Sequence, residues 1–445
     1  MGSRAMRSLG CAGLLGAGLL VGGAPAAPAQ TVRSGDPLER ATLPCGARLS
    51  VLPVDDASLE TFFVLLPIGL ADDDAGATQW SHLLEHMLIR TTDPDALADG
   101  EITFNGETAD RTLRLDIHAP PALALQAAAK LARWLAPEGF DPAVLEREKE
   151  RMFGELDGTV PQGYTHKWAT AAWAQVVRHG ATDVELRGAV RAATVEAVAS
   201  YAARKLRVGP EVAFYAAGPL PLSEVVPLFE GIKASPEPAA DADEAVAPLR
   251  RGDLEATWDL ARHHLIEWYT VPDALPTDRL AAILVAQTMA QSLMTDRALQ
   301  TGNIIALVTA DASTSEGRVV QFTASLPDAA SASVAREAFA RARERLTSVP
   351  PAGGLDRFLT QVRAEFSGGL PDFRKLRGQW AGRPQQQLVE AQLLLGLATR
   401  EQSMGLVLPQ MATTAARLTG GALKQLRDLH LAPDKANRVL LRPKG

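Results

Sequence analysis

The chain has 445 residues, of which 47% are hydrophobic and 22% charged, a composition typical of a globular rather than a disordered protein. This length predicts two domains of about 200 residues, each large enough to bury a core. The formal net charge of −7 argues against a nucleic-acid partner, which would require a basic surface.

Residues 1–29 have the pattern of a secretory signal peptide. Arg4 and Arg7 precede the apolar stretch Leu9–Val21, and small residues mark a cleavage site after Ala29. The apolar stretch is too short for a membrane span. We therefore expect a periplasmic or secreted protein whose mature chain has no stable span.

Hydrophobic periodicity predicts the elements of the first half of the chain. Within 42–54, a turn at Cys45-Gly46 leads into a strand. Further strands are expected at Thr61–Leu66, Ile102–Asn105, Thr112–Ile117 and Glu211–Gly218. Helices are expected around 80–88, and at Pro121–Trp134, Pro142–Leu156, Ala192–Ala203 and Leu222–Ile232. These elements assign residues 37–233 to a first domain.

A Pro-, Ala- and acid-rich stretch, 234–249, reads as a linker to a second domain at 250–445. The elements expected there are the strands His264–Thr270, Ile304–Ala310 and Val319–Leu326, and the helices Thr277–Gln300 and Ala329–Thr347. Their order repeats that of the first half. The sequence thus predicts an α+β fold of two homologous domains, each a mixed or antiparallel sheet flanked by helices.

The sequence His82-Leu83-Leu84-Glu85-His86 carries the main chemical signal. On a helix, His82 and His86 lie roughly 40° apart, and Glu85 is on the same side. Zn²⁺ takes neutral imidazole nitrogens at about 2.0–2.1 Å, and an adjacent carboxylate can take a proton from water. The alternative is a buried helix whose two histidines have only a packing role.

A second helix supplies candidates for a third ligand. Glu148 and Glu155 are seven positions apart, so they project within about 20° of each other on one side of a helix. One could bind the metal while the other supports it. For Glu146 and Glu150 we favour a solvated face with charge pairs.

With these residues the chain resembles the pitrilysin/insulinase family of inverzincin metallopeptidases, in the two-domain class close to mitochondrial processing peptidases. That family reads His-x-x-Glu-His followed by Glu-Arg-x-x-Val-x-x-Glu, and here Lys149 replaces the usual Arg. The resemblance implies one Zn²⁺ per chain. It makes His82, His86 and Glu155 the ligands, Glu85 the general base and Glu148 a supporting residue.

The resemblance also points to a substrate-binding strand. The family has an Asn-Ala-x-Thr segment on a sheet edge that pairs with the peptide backbone, and here Asn105, Gly106 and Thr108 match it with Gly for Ala. An open strand edge suits this role because main-chain hydrogen bonds hold any extended peptide. A hairpin turn at Asn105-Gly106 is the alternative.

The second half departs from the family. A substrate-binding Arg and Tyr are expected around a glycine, but with Gly302 as the anchor, Ile305 occupies the Tyr position and Arg297 is one residue out of place. No tyrosine follows Tyr269. We therefore expect a homologous partner subunit that carries the Arg/Tyr pair.

The expected function is that of an exported zinc endopeptidase acting on peptides or unfolded segments, as the metal-bearing subunit of a two-chain protease. The alternative is a non-catalytic binding or scaffolding subunit of the same family. Structural roles are expected for the remaining conspicuous side chains, which are His118, His263, His264, Trp168 and Trp173.

Overall fold

The computed structural model describes residues 38–74, 76–91, 101–109, 111–156, 176–177, 182–236, 249–314, 316–348, 359–360, 363, 373–379, 381 and 384–444. The expected signal peptide, Trp168, Trp173 and residues 237–248 of the expected linker lie outside the described residues. The domain boundaries given above remain predictions.

The described strands form two sheets. They are β1 (Glu39–Thr42), β2 (Arg48–Pro53), β3 (Glu60–Leu66), β4 (Thr103–Thr108), β5 (Leu113–Ala119), β6 (Ala213–Gly218), β7 (Asp253–Trp258), β8 (His263–Val271), β9 (Ile305–Thr314), β10 (Gly317–Leu326) and β11 (Asn437–Pro443). The first sheet has the order β1-β2-β6-β3-β5-β4 and the second the order β7-β11-β8-β10-β9.

Apart from β1, the two sheets have the same topology. The one parallel pair among the described strands of each sheet is β2 with β6 in the first and β7 with β11 in the second. The other pairs are antiparallel. This correspondence confirms the predicted α+β fold of two homologous domains, and it leaves β4 and β9 at equivalent sheet edges.

Helices connect and cover these strands. They are α1 (Trp80–Thr91), α2 (Ala124–Leu135), α3 (Pro142–Leu156), α4 (Asp183–Ala192), α5 (Val195–Lys205), α6 (Leu222–Phe229), α7 (Pro276–Met294), α8 (Arg297–Thr301), α9 (Ala332–Ser348), α10 (Phe373–Gln379), α11 (Val389–Met404), α12 (Leu408–Arg417) and α13 (Gly420–His430). No helix in the described part of the chain combines the length and the apolar character needed to cross a bilayer.

The main core of the first half lies between its sheet and its helices. Alternate residues of β5, namely Leu113, Leu115 and Ile117, are fully buried there, as their spacing predicted. Leu84 and Leu88 of α1 pack into the same cluster. Burial of this apolar side of α1 turns the polar side of the helix toward β4 and α3.

The opposite face of the first sheet is covered by the second half. Leu394 and Ala398 of α11 pack on Phe63 and Tyr215 of β3 and β6. Glu401, one turn further along α11, pairs with Arg40 of β1. The two halves are thereby joined through both apolar contacts and a buried carboxylate.

Two predicted helices have different bounds in the structure. The predicted helix Thr277–Gln300 is α7 followed by α8, because the Asp296 side chain accepts hydrogen bonds from the N–H groups of Ala298 and Leu299 and starts a new helix. The predicted helix Ala192–Ala203 is likewise wrong in its start: α4 ends at Ala192, and Thr194 caps α5.

Candidate metal centre

Helix α1 is anchored at its start by a buried carboxyl group. Asp73 Oδ1 accepts hydrogen bonds from the Ser81 N–H at 3.0 Å and the Tyr201 hydroxyl at 2.6 Å. Burial raises the pKa of Asp73 to about 7, although these hydrogen bonds oppose the shift. Gln79 ends the preceding turn with a φ of 69°, a left-handed conformation. The first turn of α1 is therefore fixed from several sides.

The two histidines of the motif face each other across one helical turn. Their Nε2 atoms are 3.2 Å apart, and the side chains are buried. His82 Nδ1 lies 3.1 Å from Gln79 Oε1, and His86 Nδ1 lies 2.9 Å from Glu148 Oε2. Since both acceptors are oxygens, each Nδ1 donates its proton and each Nε2 presents a lone pair. Two lone pairs in this position favour a cation between them.

Glu155 completes a three-ligand set. Its Oε2 atom lies 3.4 Å from His82 Nε2 and 3.8 Å from His86 Nε2. A tetrahedral zinc ion with bonds of about 2.1 Å would separate its ligand atoms by about 3.4 Å. The three groups could thus hold a metal ion of this size with small adjustments, and a set of two imidazoles and one carboxylate is one that zinc accepts.

Glu148 contacts Nδ1 of His86, whereas the other ligand atoms face Nε2 of that ring. Burial raises the pKa of Glu148, but the hydrogen bond with His86 and the nearby Arg151 and Arg90 outweigh burial, so the pKa lies below its usual value. A carboxylate that stays ionised can hold the Nδ1 proton of His86. The geometry therefore separates Glu148 and Glu155, which the seven-residue spacing left equivalent.

Glu85 is held by strand β4. Thr108 Oγ1 donates a hydrogen bond of 2.6 Å to Glu85 Oε2. Gly106 lies against the same side chain, so closely that a Cβ atom there would be 2.5 Å from Glu85 Cγ and 2.6 Å from Oε1. Glu85 can occupy this position because residue 106 has no side chain.

The contact predicts a large effect of a small substitution. If Glu85 is the general base that the sequence predicts, Gly106→Ala should displace its carboxylate and reduce peptide hydrolysis about 100-fold, since a misplacement of about 1 Å can have this effect. Zinc content should not change, because the three atoms nearest to an added Cβ all belong to Glu85 and not to an expected ligand. Metal analysis and cleavage of a quenched peptide would measure both quantities. Wild-type turnover in this variant would contradict the assignment.

The other candidate residues lie on the edge strand β4 and on the exposed side of α3. Asn105-Gly106 lies within β4 and not in a turn, because the strand extends to Thr108. Asn105 is exposed and opposite Asp116, so its side chain is on the other sheet face from Glu85. Glu146 and Glu150 are exposed, as the solvated-face interpretation predicted.

Sequence reasoning missed two residues that support the centre, Gln79 and Asp73. Gln79 precedes α1 in a left-handed conformation, so helical spacing alone could not have shown that it meets His82, three positions later. Asp73 could not be found either, because its contacts depend on a loop conformation. The imidazole of His118 lies between Thr61 and Asp116 on β3 and β5, and none of His118, His263 and His264 belongs to a metal-binding group in the described ranges.

Solved structures with the same fold include several peptidases. A protease from Helicobacter pylori aligns with 14% identity and a TM-score of 0.67, over 92% of this chain and 100% of that chain. An M16-like peptidase from Alicyclobacillus acidocaldarius has 12% identity and a TM-score of 0.64, over 92% and 98%. A peptidase M16 inactive domain from Pseudomonas fluorescens has 15% identity and a TM-score of 0.61, over 92% and 98%.

The chain has the two-domain fold of M16 peptidases. No protein-family model and no curated protein matches its sequence. At these identities the likeness extends to the fold alone, and one of the three structures is an inactive domain. The chemistry of this chain must therefore be argued from its own residues.

Proposed function

We propose that this chain is a zinc-dependent endopeptidase that hydrolyses peptides or unfolded segments. The observation that carries the proposal is the triangle formed by His82 Nε2, His86 Nε2 and Glu155 Oε2, with edges of 3.2, 3.4 and 3.8 Å. It lies beside the Glu85 carboxylate and the edge strand β4. A histidine pair with only a packing role would not require a carboxylate facing both Nε2 atoms.

His82, His86 and Glu155 would hold the ion, while Gln79 and Glu148 keep both imidazoles in the tautomer that a metal requires. Polarisation of the scissile carbonyl and of a water molecule is the chemistry that bound zinc supplies. Glu85 takes the proton of the attacking water and passes it to the leaving amine.

Strand β4 is the proposed receptor for the peptide. It pairs with β5 on one side and is the last of the described strands in its sheet, so its other edge can hydrogen-bond an extended backbone. Gly106 brings this edge to Glu85, so a peptide bound here would have one carbonyl next to the base. Only every second residue of β4 directs its backbone groups to this edge, so Asn105 and Thr108, three positions apart, do not both do so. Thr108 contributes through its contact with Glu85.

The proposal includes export and a second chain. The Tyr position is Ile305, the first residue of β9, and Arg297 begins α8, where its side chain is exposed. The chain therefore lacks the expected Arg/Tyr pair at these positions. We propose that a homologous subunit supplies the pair, and that residues 1–29 direct the protein to the periplasm or the outside of the cell.

The test compares the purified chain alone with the chain mixed with a homologous subunit that has the Arg/Tyr pair and lacks the histidine motif. We expect weak cleavage of a quenched peptide by the single chain and at least about 100-fold faster cleavage by the heterodimer, because substrate orientation has effects of this size. Sedimentation would establish the assembly. A monomer or homodimer with full activity would contradict the two-chain proposal.

A second candidate function is a binding or scaffolding subunit without turnover. The same substitution at Ile305 favours it, and a solved M16 domain from Pseudomonas fluorescens is inactive. The two candidates differ in one result: a scaffolding subunit would bind an extended peptide without cleaving it, even with zinc and the homologous subunit present.

A further inference from the structure

Arg90 brings a positive charge to the edge of the candidate metal centre. It follows His86 by four positions on α1, so the two side chains lie on one side of the helix, one turn apart. Burial and the charge of Arg151 lower the pKa of Arg90, whereas the three carboxylates of the site act in the opposite direction. The guanidinium remains protonated at any physiological pH.

This guanidinium packs on an aromatic ring instead of pairing with an acid. Its Cζ atom lies 5.7 Å from the centre of the Phe104 ring, and the Nζ atom of Lys130 lies 5.8 Å from the same centre. No ion pair or hydrogen bond joins Arg90 to any residue that the structure describes. Half-buried N–H donors that no described residue accepts are unfavourable unless another acceptor is present, so an anionic ligand would stabilise this arrangement.

The guanidinium of Arg90 itself favours a carboxylate over other substrate groups. Arg151, which is 48% exposed, is paired with Glu148, so the preference rests on Arg90 and not on a second free guanidinium. A planar guanidinium binds a carboxylate through two parallel hydrogen bonds. A neutral amide of the same shape would have only one acceptor oxygen.

The strand geometry relates Arg90 to the position of the peptide bond. Phe104 and Gly106 are two residues apart on β4 and face the same side of the sheet, about 7 Å from each other. Gly106 contacts Glu85, and Phe104 contacts Arg90. A peptide strand beside β4 has the same two-residue repeat, so the side chain that reaches Arg90 belongs to a residue two positions from the one at Glu85.

We propose that Arg90 determines substrate specificity by binding an acidic side chain two residues from the scissile bond. This inference rests on the proposed peptidase function, which it narrows to peptides with Asp or Glu near the cleavage site. The free C-terminal carboxylate of a short peptide has the same chemistry, and the test separates the two sources.

The experiment measures binding as well as cleavage. The zinc-loaded Glu85→Gln chain is titrated into fluorescein-labelled peptides, and binding is measured by fluorescence anisotropy. The peptides carry a single Glu at successive positions or Gln at the same positions, and each is also made with an amidated C-terminus. We expect one Glu position to bind about 10-fold more tightly than Gln, with no effect of amidation. Arg90→Met should abolish this preference and Arg90→Lys should keep part of it. Arg147→Met, an exposed arginine of α3, is the matched control and should keep all of it.

Each outcome decides the inference. An unchanged Glu preference in Arg90→Met would overturn it, and so would a preference that is lost when the C-terminus is amidated. A loss of thermal stability in Arg90→Met without a change in selectivity would also overturn it. If the wild-type chain with its homologous subunit cleaves peptides without any preference for Glu, this inference is overturned and the peptidase function is retained. A Glu preference that depends on Arg90, without cleavage, would support this inference and contradict the peptidase function.

Discussion

Glu85→Gln is expected to reduce peptide hydrolysis by about 100- to 10,000-fold, the usual contribution of a general base. Glutamine has nearly the same shape as glutamate but cannot take a proton from water. Its amide oxygen can still accept the hydrogen bond that Thr108 Oγ1 donates to Oε2, so the side chain should stay in place. Zinc content should equal that of the wild type, because all three proposed ligands remain.

The matched control is Glu150→Gln, on the exposed side of α3, which should hydrolyse peptides at the wild-type rate. Cleavage of a quenched peptide and metal analysis of the same preparations give both readouts. Loss of zinc together with activity in Glu85→Gln would show that Glu85 supports the metal instead of acting as the base. Wild-type turnover would eliminate the mechanism.

Three substitutions in α3 should have graded effects on zinc affinity. Glu155→Gln removes a ligand from the triangle and should lower zinc occupancy sharply. Glu148→Gln replaces the carboxylate that accepts the hydrogen bond from His86 Nδ1. It should weaken zinc affinity about 10- to 100-fold, as mutation of a residue that hydrogen-bonds to a metal ligand usually does. Glu146→Gln should change nothing, because Glu146 is exposed and pairs with Lys149.

Zinc titration against a competing chelator would measure these three affinities. The order of the effects matters more than their absolute sizes, because the ligand and its supporting residue lie on the same helix. Equal affinities in all three variants would place the third ligand elsewhere. A larger effect of Glu148→Gln than of Glu155→Gln would exchange the two roles.

The helical part of the centre could be predicted from sequence because its spacing is local. His86 follows His82 by four positions and Glu155 follows Glu148 by seven, and these spacings fix which side chains share a helix face. The fold class followed from the repeated order of strands and helices. Which of the two glutamates faces the histidines depends on how α1 and α3 pack, and only the resemblance distinguished them.

Other features depend on contacts between distant parts of the chain. The role of Gly106 beside Glu85 needs the position of β4 against α1, and the spacing of Asn105-Gly106 fitted a turn equally well. Helix α11, whose Glu401 pairs with Arg40, was not predicted, because its amphipathic pattern is weak and its partner is the sheet of the other half. Tertiary packing decided these cases rather than local propensity.

The most direct test of the account is to locate the metal. A crystal of the zinc-loaded chain, measured with X-rays above and below the zinc absorption edge, would show where zinc binds. We expect one strong anomalous peak per chain, bonded to His82 Nε2, His86 Nε2 and a carboxylate oxygen of Glu155, with Glu85 next to it but not bonded. A peak at any other site, or no peak in a chain that hydrolyses peptides, would contradict the account.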